Sequence, residues 1–600
     1  MDWRRSEKVL HRHFAMPTTL RWRDAFFPAA CIAVSAAALL CAGCGQQSSN
    51  PATDAAEQPL EGGTFRMEQD PPDRLDPACV DDAYEAFFVN QIFDGLLAFD
   101  PHLNTVPAIA ASWIISPDGM VYTFDLKPGI RFHDGTEVTA EDVVFSLTRV
   151  FDIPEEQSGL ARQYLCHILG ATEYAAKRAK SIRGLTAGSN RQVQITLEHP
   201  YAPFLAVLAS EMARIVPKHV VERLGDEEFA RHPVGTGPFQ LAEWTKDREV
   251  ILTAFRTPQS PAVHLDSLII GFPVGNVRDC AAECFLKGRL NAVVVPAGRL
   301  SEFRGRDSSQ VLSRQELSLT FLALNPREAP FQDVRVRQAF AATLDRGAIL
   351  RAHPSAHIPP NGILPPGMPG YTPESKLIAP DIEAARRLLA SAGYPDGRGL
   401  PPVELTFAQT SEQGRAVYAM VRDQLAAVGF KITLEELPWR AFSTHLRRGD
   451  MQCLAVTWTA DIPDPDSFMF PMCDSAGSGN FLHYSNADVD SLLLRGRATR
   501  SSMERLEIYR DAERRTLQDA AIIPLYHPLS AVAVQNSVRG FSLSAMGWAS
   551  MPLEHVWLTN APRHQDEVAA QTPAARPAAA LPAAARHPLP PPPALQGRVP

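Results

Sequence analysis

The residues that could support catalysis do not form a recognisable catalytic motif. Gly477-Ser478-Gly479 comes nearest to a nucleophile elbow, but it lies in a polar, glycine-rich stretch without the strand, turn and helix that such a serine requires. Cys280 and Cys284 are four residues apart with no histidine near them, so a metal site is not expected there. A Walker A loop, a G-x-G-x-x-G opening a helix and an H-E-x-x-H segment are also missing. We therefore expect a binding protein rather than an enzyme, with no cofactor and no metal.

The first 43 residues have the composition of a secretory signal peptide. Basic residues precede an apolar run at residues 25–40, which is too short for a membrane span of about 20 residues. Ala42 and Gly43 directly before Cys44 look like a bacterial lipobox, although Cys41 stands where a leucine is usual. We expect cleavage before Cys44 and lipidation of that cysteine, followed by a flexible tether over residues 44–60. An ordinary cleaved signal is the alternative, and translation could start at Met1 or Met16.

The remaining composition separates a globular middle from a tail. Residues 561–600 contain 12 Ala and 10 Pro, which cannot bury a core, so we expect a disordered tail. Removing residues 1–43 takes away six basic and three acidic residues and changes the net charge from −9 to −12. Such an acidic chain is not expected to bind nucleic acid. Besides Cys44, six cysteines would remain, and their pairing is not determined by the sequence.

The middle of the chain alternates between strand and helix patterns. Residues 121–126 alternate as a strand, and Thr139 with Asp142 forms a capping signal before an apolar helical stripe. Asp381 is predicted to cap another helix, and residues 416–428 form a helical pattern that ends at Gly429. Ser502 is predicted to begin a helix that leads into a strand at residues 521–526. The second half therefore predicts a largely parallel sheet covered by helices.

Several short motifs recur in a fixed order through this region. The motifs are Leu75-Asp76-Pro77, Phe93-Asp94-Gly95-Leu96-Leu97, Phe132-His133-Asp134-Gly135, Gly235-Thr236-Gly237-Pro238-Phe239, Pro330-Phe331-Gln332-Asp333-Val334-Arg335 and Trp458-Thr459-Ala460-Asp461. In combination they resemble a bacterial extracellular solute-binding protein of family 5. The resemblance covers residues 61–560 and implies a peptide receptor of an ABC transporter, with permease and ATPase as partners. It would be a monomer, periplasmic or extracytoplasmic, held at the membrane by its lipid anchor.

The resemblance also implies a fold. We expect a two-lobed α/β fold of the periplasmic-binding-protein type (class II) with an extra domain in the first lobe, and closure of the lobes on ligand. The chain would cross between lobes near residues 317–325 and 525–534. The expected divisions are the first lobe at 61–97, 233–316 and 535–560, the extra domain at 98–232, and the second lobe at 317–534.

The W-x-x-D segment supplies the main candidate site residues. In peptide-binding members the aspartate of this motif takes the ligand α-amino group, so Asp461 is predicted to do so, since a buried amino group needs a carboxylate partner. Trp458 would form an apolar wall. By resemblance, the stretch from Asp81 through Ala83 and Tyr84 is an extended segment that pairs with the ligand backbone. The alternatives are that Asp461 caps a turn, that Trp458 is a core residue, and that residues 81–84 start a helix.

The sequence departs from peptide binders at the position expected for a basic partner of the ligand carboxylate, which here is Ala455. Arg335, Arg351 and Arg440 are unranked candidates for that role. The family also includes receptors for nickel chelates, haem, opines and oligosaccharides, so a non-peptide solute is the alternative ligand. An exported hydrolase or a structural envelope lipoprotein on the same fold is the alternative from another class.

Overall fold

The computed structural model describes residues 58–559, apart from residues 81, 259–262, 276, 297, 353–356 and 375. Its first part alternates short strands with short helices. In chain order these are β1 (Thr64–Glu68), α1 (Ala83–Ile92), β2 (Leu97–Phe99), β3 (Thr105–Pro107), β4 (Ala110–Ile115), β5 (Val121–Leu126), α2 (Ala140–Arg149), α3 (Glu155–Leu165), α4 (Ala171–Ala175), β6 (Leu185–Ser189), β7 (Gln192–Thr196), α5 (Phe204–Ala209), α6 (Lys218–Leu224) and α7 (Asp226–Phe229). Strands β4, β5, β7 and β6 form an antiparallel sheet in that order.

The next part returns to the sheet that β1 began. Its elements are β8 (Phe239–Thr245), β9 (Glu249–Ala254), β10 (Ser267–Gly271), α8 (Val277–Leu286), β11 (Ala292–Val294), α9 (Leu300–Phe303) and β12 (Ser309–Gln315). The sheet has the order β1-β10-β9-β8, in which β1 is parallel to β10 and the other pairs are antiparallel. Strand β1 is therefore joined to a strand about 200 residues later in the sequence, with Thr64 opposite Ser267.

The last part is built around a larger mixed sheet. Its elements are β13 (Ser318–Leu324), α10 (Val334–Thr343), α11 (Arg346–Ala352), β14 (His357–Ile358), α12 (Ile382–Ser391), β15 (Val403–Ala408), α13 (Glu412–Ala426), β16 (Ile432–Leu437), α14 (Trp439–Arg448), β17 (Cys453–Thr459), α15 (Asp466–Cys473), α16 (Ala487–Ala498), α17 (Ser502–Asp519), β18 (Ile522–Gln535), β19 (Val538–Arg539) and β20 (Trp557–Leu558). Within the described residues, 3-10 turns lie at Pro77–Cys79, Glu211–Ala213, Pro395–Gly397 and Trp548–Ser550.

Strand β18 belongs to the larger sheet and pairs with different strands at its two ends. Its first residues pair with β13, and its last residues pair with β11 and β12. Strands β11 and β12 are therefore joined to the rest of this sheet through β18. The β12–β13 connection and the middle of β18 lie where these two groups of strands meet.

Separate apolar cores support the separate regions. One core contains residues between 78 and 215, together with Ile462 from the second lobe. A second core combines residues 65–93 and 216–292 with residues 532–558. The second lobe has its largest cores on the two faces of its sheet, one around Phe340 and Leu405 and the other around Phe468 and Tyr509. The domain boundaries given above remain a proposal.

Predictions that rest on short-range sequence signals are confirmed at three places. Strand β5 has the predicted bounds, Thr139 and Asp142 form the capping box of α2, and Asp381 caps α12. The helix predicted at 416–428 begins earlier, because Ser411 caps α13. The prediction of a largely parallel sheet is wrong in part: β15 is parallel to β16 and β17, but β13 runs antiparallel to both of its neighbours.

Candidate functional site

The W-x-x-D segment lies at the C-terminal end of β17, an inner strand of the large sheet. The strand lies between β13 and β15, and its first residues, Cys453, Leu454 and Ala455, are buried. Further along, Trp458 and Asp461 are half-buried where the chain leaves the sheet. Residues 461–467, which we call the site loop, follow β17 and include the first two residues of α15.

Asp461 lies in a half-buried position with a phenol as its partner. Tyr164, a fully buried residue of α3, donates a hydrogen bond to Asp461 Oδ2 at 2.8 Å. Burial raises the pKa of the Asp461 carboxyl to about 7, the bond from Tyr164 opposes this, and the charge of Glu211 adds to it. Across the described part of the chain, no basic side chain lies within 4 Å of this carboxylate. The carboxylate is therefore suited to binding a cation that the described residues do not supply.

The turn that follows Asp461 is held by a different aspartate. The backbone N–H of Asp466 donates to Asp464 Oδ1 at 2.9 Å, and Arg505 pairs with the same carboxylate. Asp461 contributes its backbone N–H, which donates to Ser467 Oγ at 2.8 Å. The turn-capping alternative therefore fits Asp464 better than Asp461.

Trp458 is fixed by the same serine residue. Its indole N–H donates to the Ser467 carbonyl at 2.8 Å. Its ring approaches Gly479 so closely that an added Cβ there would be 2.7 Å from the ring, and it lies 6.3 Å from the Phe481 ring. Trp458 also packs against the second-lobe core. It thus combines features of both alternatives, a partly exposed wall and a core contact.

Asp466 anchors the far end of the site loop. Arg497 Nε and the Tyr509 hydroxyl donate to its Oδ1 at 2.9 and 2.8 Å, and the Tyr201 hydroxyl donates to its Oδ2 at 3.0 Å. Burial would raise the pKa of Asp466, but the charge and hydrogen bonds of Arg497 outweigh it and hold the pKa below its ordinary value. Asp466 is therefore an ionised, fully paired group, unlike Asp461.

The prediction of an extended stretch is wrong at Ala83 and Tyr84, which are helical. Asp82 caps α1 by accepting hydrogen bonds from the N–H groups of Tyr84 and Glu85, both at 2.8 Å, so Ala83 and Tyr84 form the first helical turn. The helix alternative is the correct one because the Asp82 side chain satisfies those amides locally. Asp81 lies outside the described residues. Within them, no hydrogen bond joins Ala83 or Tyr84 to Asp461.

The arginines considered for a ligand carboxylate are engaged elsewhere. Arg335 of α10 pairs with Asp333 at 2.6 Å, and Arg351 of α11 lies 3.7 Å from Asp345. The side chain of Arg440 is outside the described residues. The structure thus gives neither Arg335 nor Arg351 a place beside Asp461.

Sequence reasoning missed the groups that face the site loop from the first half of the chain. Tyr164 and Tyr201 belong to no motif, and Glu211 lies in a 3-10 turn that contacts α3. Near Glu211, the Arg214 Nη2 group donates to Asn90 Oδ1 at 2.6 Å. Burial raises the pKa values of Asp94 and Glu211 above their ordinary values, and the charge of Arg214 offsets only part of this rise. The sequence signal that could have pointed to Arg214 and Glu211 was the F-D-G-L-L segment, which contains their neighbour Asp94.

Other predictions concern chemistry that the described residues do not carry. Cys44 lies outside them. Among the described residues, the six cysteines are unpaired, and no group of three or more His, Cys, Asp or Glu side chains is placed to hold a metal ion. Within the same ranges, no helix has both the length and the apolar character needed to cross a membrane.

Comparison with known proteins identifies the fold. The chain is 28% identical to di/tripeptide-binding protein 2 of Pseudomonas aeruginosa over 501 residues, covering 79% of this chain and 91% of that protein. It is 27% identical to heme-binding protein A of Haemophilus influenzae over 543 residues, covering 86% and 97%. A periplasmic binding protein of Helicobacter pylori, solved with the peptide STSA, superposes with a TM-score of 0.71 at 25% identity and covers 84% of this chain and 99% of its own. These likenesses confirm the predicted two-lobed α/β fold.

The family model described as bacterial extracellular solute-binding proteins, family 5 Middle, matches residues 104–480. That stretch includes the segments that hold Tyr164, Tyr201 and Asp461, and it makes up more than half of the chain. The protein therefore belongs to the family 5 bacterial extracellular solute-binding proteins.

Proposed function

We propose that this protein captures peptides with a free α-amino group outside the inner membrane and delivers them to the permease of an ABC transporter. Relatives named for di- and tripeptides, for dipeptides and for oligopeptides support this ligand class. The observation that carries the proposal is the Asp461 carboxylate, which has a neutral phenol as its hydrogen-bond partner and no neighbouring cation among the described residues. A ligand ammonium group would supply that cation.

The cellular setting forms part of the same proposal. The basic segment, the apolar run and Ala42-Gly43-Cys44 support export and lipidation at Cys44. A monomer tethered through residues 44–60 would hold both lobes near the permease. The protein would act as a receptor without turnover of its ligand, because its relatives are named for binding.

The test is the melting shift of the full chain with two peptides, Met-Leu and Ser-Thr-Ser-Ala, each compared with its N-acetylated form. A bound ligand stabilises the native state by about 2.7 kcal/mol at a free concentration of 100 Kd, so binding raises the melting temperature. The free peptides should raise it, and the acetylated forms should not, since acetylation removes the ammonium group. Asp461→Ala should abolish the shift.

Two outcomes of this assay would contradict the peptide proposal. If neither free peptide shifts the melting temperature, or if acetylated and free peptides act alike, the peptide proposal is wrong. Haemin is the comparison ligand, since one relative is named for heme binding. A Soret absorbance change with haemin, and none with peptides by melting, would replace the peptide ligand with a tetrapyrrole. Mass spectrometry of co-purified small molecules provides an independent identification.

A further inference from the structure

The extra domain is firmly attached to the first lobe. Arg149 of α2 pairs with Asp76 at 2.5 Å, and the side chains of these two residues are 4% and 0% exposed. Arg214 Nη2 of the extra domain donates a hydrogen bond to Asn90 Oδ1 of the first lobe at 2.6 Å. Both contacts join the extra domain to first-lobe segments. The extra domain should therefore move with the first lobe when the lobes open.

Two tyrosines of the extra domain reach across to the site loop of the second lobe. Tyr164 donates to Asp461 at 2.8 Å, and Tyr201 donates to Asp466 at 3.0 Å. The two phenols thus bind carboxylates at opposite ends of the site loop. Opening of the lobes would have to break both hydrogen bonds.

The contact made by Tyr201 extends beyond its hydroxyl group. The guanidinium carbon of Arg497 lies 5.3 Å from the centre of the Tyr201 ring, and the backbone N–H of Ala202 donates to the Arg497 carbonyl at 2.9 Å. On the other side, the His167 ring stacks on Tyr201 with a centroid separation of 3.9 Å. The Tyr201 ring is therefore held in one orientation by the extra domain and meets a fixed surface on the second lobe.

Asp466 does not need Tyr201 in order to remain paired. Arg497 and Tyr509, both in the second lobe, already donate to it. The residue that follows, Ser467, accepts hydrogen bonds from the Asp461 N–H and the Trp458 indole N–H. Through Ser467, a restraint at Asp466 therefore reaches the backbone of Asp461 and the indole ring of Trp458.

We propose that Tyr201 is a positioning residue of the ligand site, which fastens the site loop to the extra domain and thereby sets the lifetime of the closed, liganded state. The inference rests on the proposed function for its ligand, but the restraint on the loop exists without ligand. It gives the extra domain a direct part in ligand retention. Tyr201 acts through Asp466 and Ser467 and does not itself touch the ligand.

The test compares Tyr201→Phe with Tyr174→Phe in the full chain. Tyr174 is a matched control, because its hydroxyl donates to Asp152 at 2.8 Å and both residues lie within the extra domain. The rates of Met-Leu binding and release are measured by stopped-flow. Met-Leu should dissociate from Tyr201→Phe about tenfold faster than from the unmutated protein, because a hydrogen bond to a charged group is lost. The association rate should be unchanged. Tyr174→Phe should match the unmutated protein. An unchanged dissociation rate in Tyr201→Phe would overturn the inference.

Hydrogen exchange of the ligand-free protein tests the loop restraint without any peptide. In Tyr201→Phe the amides of residues 461–467 should exchange faster, while those of α13 and β15 keep their protection. Equal protection of the site loop in both variants contradicts the inference, and so does faster exchange spread evenly over the second lobe, which would indicate a purely structural role. If Met-Leu and Ser-Thr-Ser-Ala fail to bind the unmutated protein, the peptide proposal is lost, and the exchange result still decides the role of Tyr201.

Discussion

Replacing Asp461 by asparagine should make the ligand-free protein more stable at pH 8 while it removes ligand binding. Burial raises the pKa of this carboxyl from an ordinary value of 3.8 to about 7, so the native state holds a proton that the unfolded chain has released. Above pH 7 the native protein carries a charge in a place that disfavours it. Asparagine has nearly the same shape, keeps an oxygen to accept the Tyr164 hydrogen bond, and has no charge.

The size and sign follow from linkage between protonation and folding. Below about pH 4, Asp461 is protonated in both the native and the unfolded state, so its ionisation does not contribute to the free energy of unfolding. Between pH 4 and 7 the unfolded chain binds fewer protons than the native protein, so the stability of the unmutated protein falls as pH rises. At ~1.36 kcal/mol per pKa unit the complete effect is roughly 4 kcal/mol. Asp461 keeps part of its surface in contact with solvent, so we expect about 2 kcal/mol.

The assay is urea unfolding at pH 4, 6 and 8 for Asp461→Asn, for the unmutated chain and for Asp247→Asn. Asp247 is exposed in the turn between β8 and β9, so its replacement should change the unfolding free energy by less than about 0.5 kcal/mol. The stability gain of Asp461→Asn should be near zero at pH 4 and largest at pH 8. A variant that is less stable than the unmutated protein at pH 8 would refute the reasoning, since it would show that the ionised Asp461 is stabilised by its surroundings.

Three further predictions use the same structure. Affinity for Met-Leu should fall roughly twentyfold between pH 7.5 and 5.5, because protonation of Asp461 with a pKa of about 7 removes the partner of the ligand ammonium; calorimetry at both pH values tests this, and a flat profile argues against it. Arg149→Met should destabilise the protein by about 3–5 kcal/mol in urea unfolding, since Asp76 would remain buried without its partner, and a loss below 1 kcal/mol would contradict this. Gly235→Ala should lower the melting temperature strongly, because its Cβ would lie 2.0 Å from the Ile92 carbonyl oxygen; unaltered melting would mean that the segment can move aside.

The G-T-G-P-F segment shows how a motif gains its meaning from the fold. The sequence identified it only by resemblance. In the structure, Gly235 and Gly237 both pass against the end of α1, and the Gly237 N–H donates to the Ile92 carbonyl at 2.9 Å. A side chain at either position would collide with that helix. The motif therefore secures the packing of α1 and is not evidence of ligand contact.

What the sequence determined by itself was local. Thr139 with Asp142, and Asp381, could be assigned as helix caps because a capping hydrogen bond joins residues at most three positions apart. The same local rule decides the start of α1, because the Asp82 side chain caps the helix and makes Ala83 and Tyr84 helical where the resemblance predicts an extended stretch. The ordered motifs also indicated the family, and the W-x-x-D segment pointed to Asp461.

Only the tertiary structure decided what surrounds Asp461. Tyr164 lies 297 residues from Asp461, and Tyr201 lies 265 residues from Asp466. No spacing rule relates residues at such separations, because their meeting depends on how the extra domain and the second lobe pack. The pKa of Asp461 has the same origin, since burial arises from the packed lobes and cannot be deduced from neighbours in the chain. The sequence thus identified Asp461 as the candidate carboxylate, and packing between distant segments of the chain placed Tyr164 beside it.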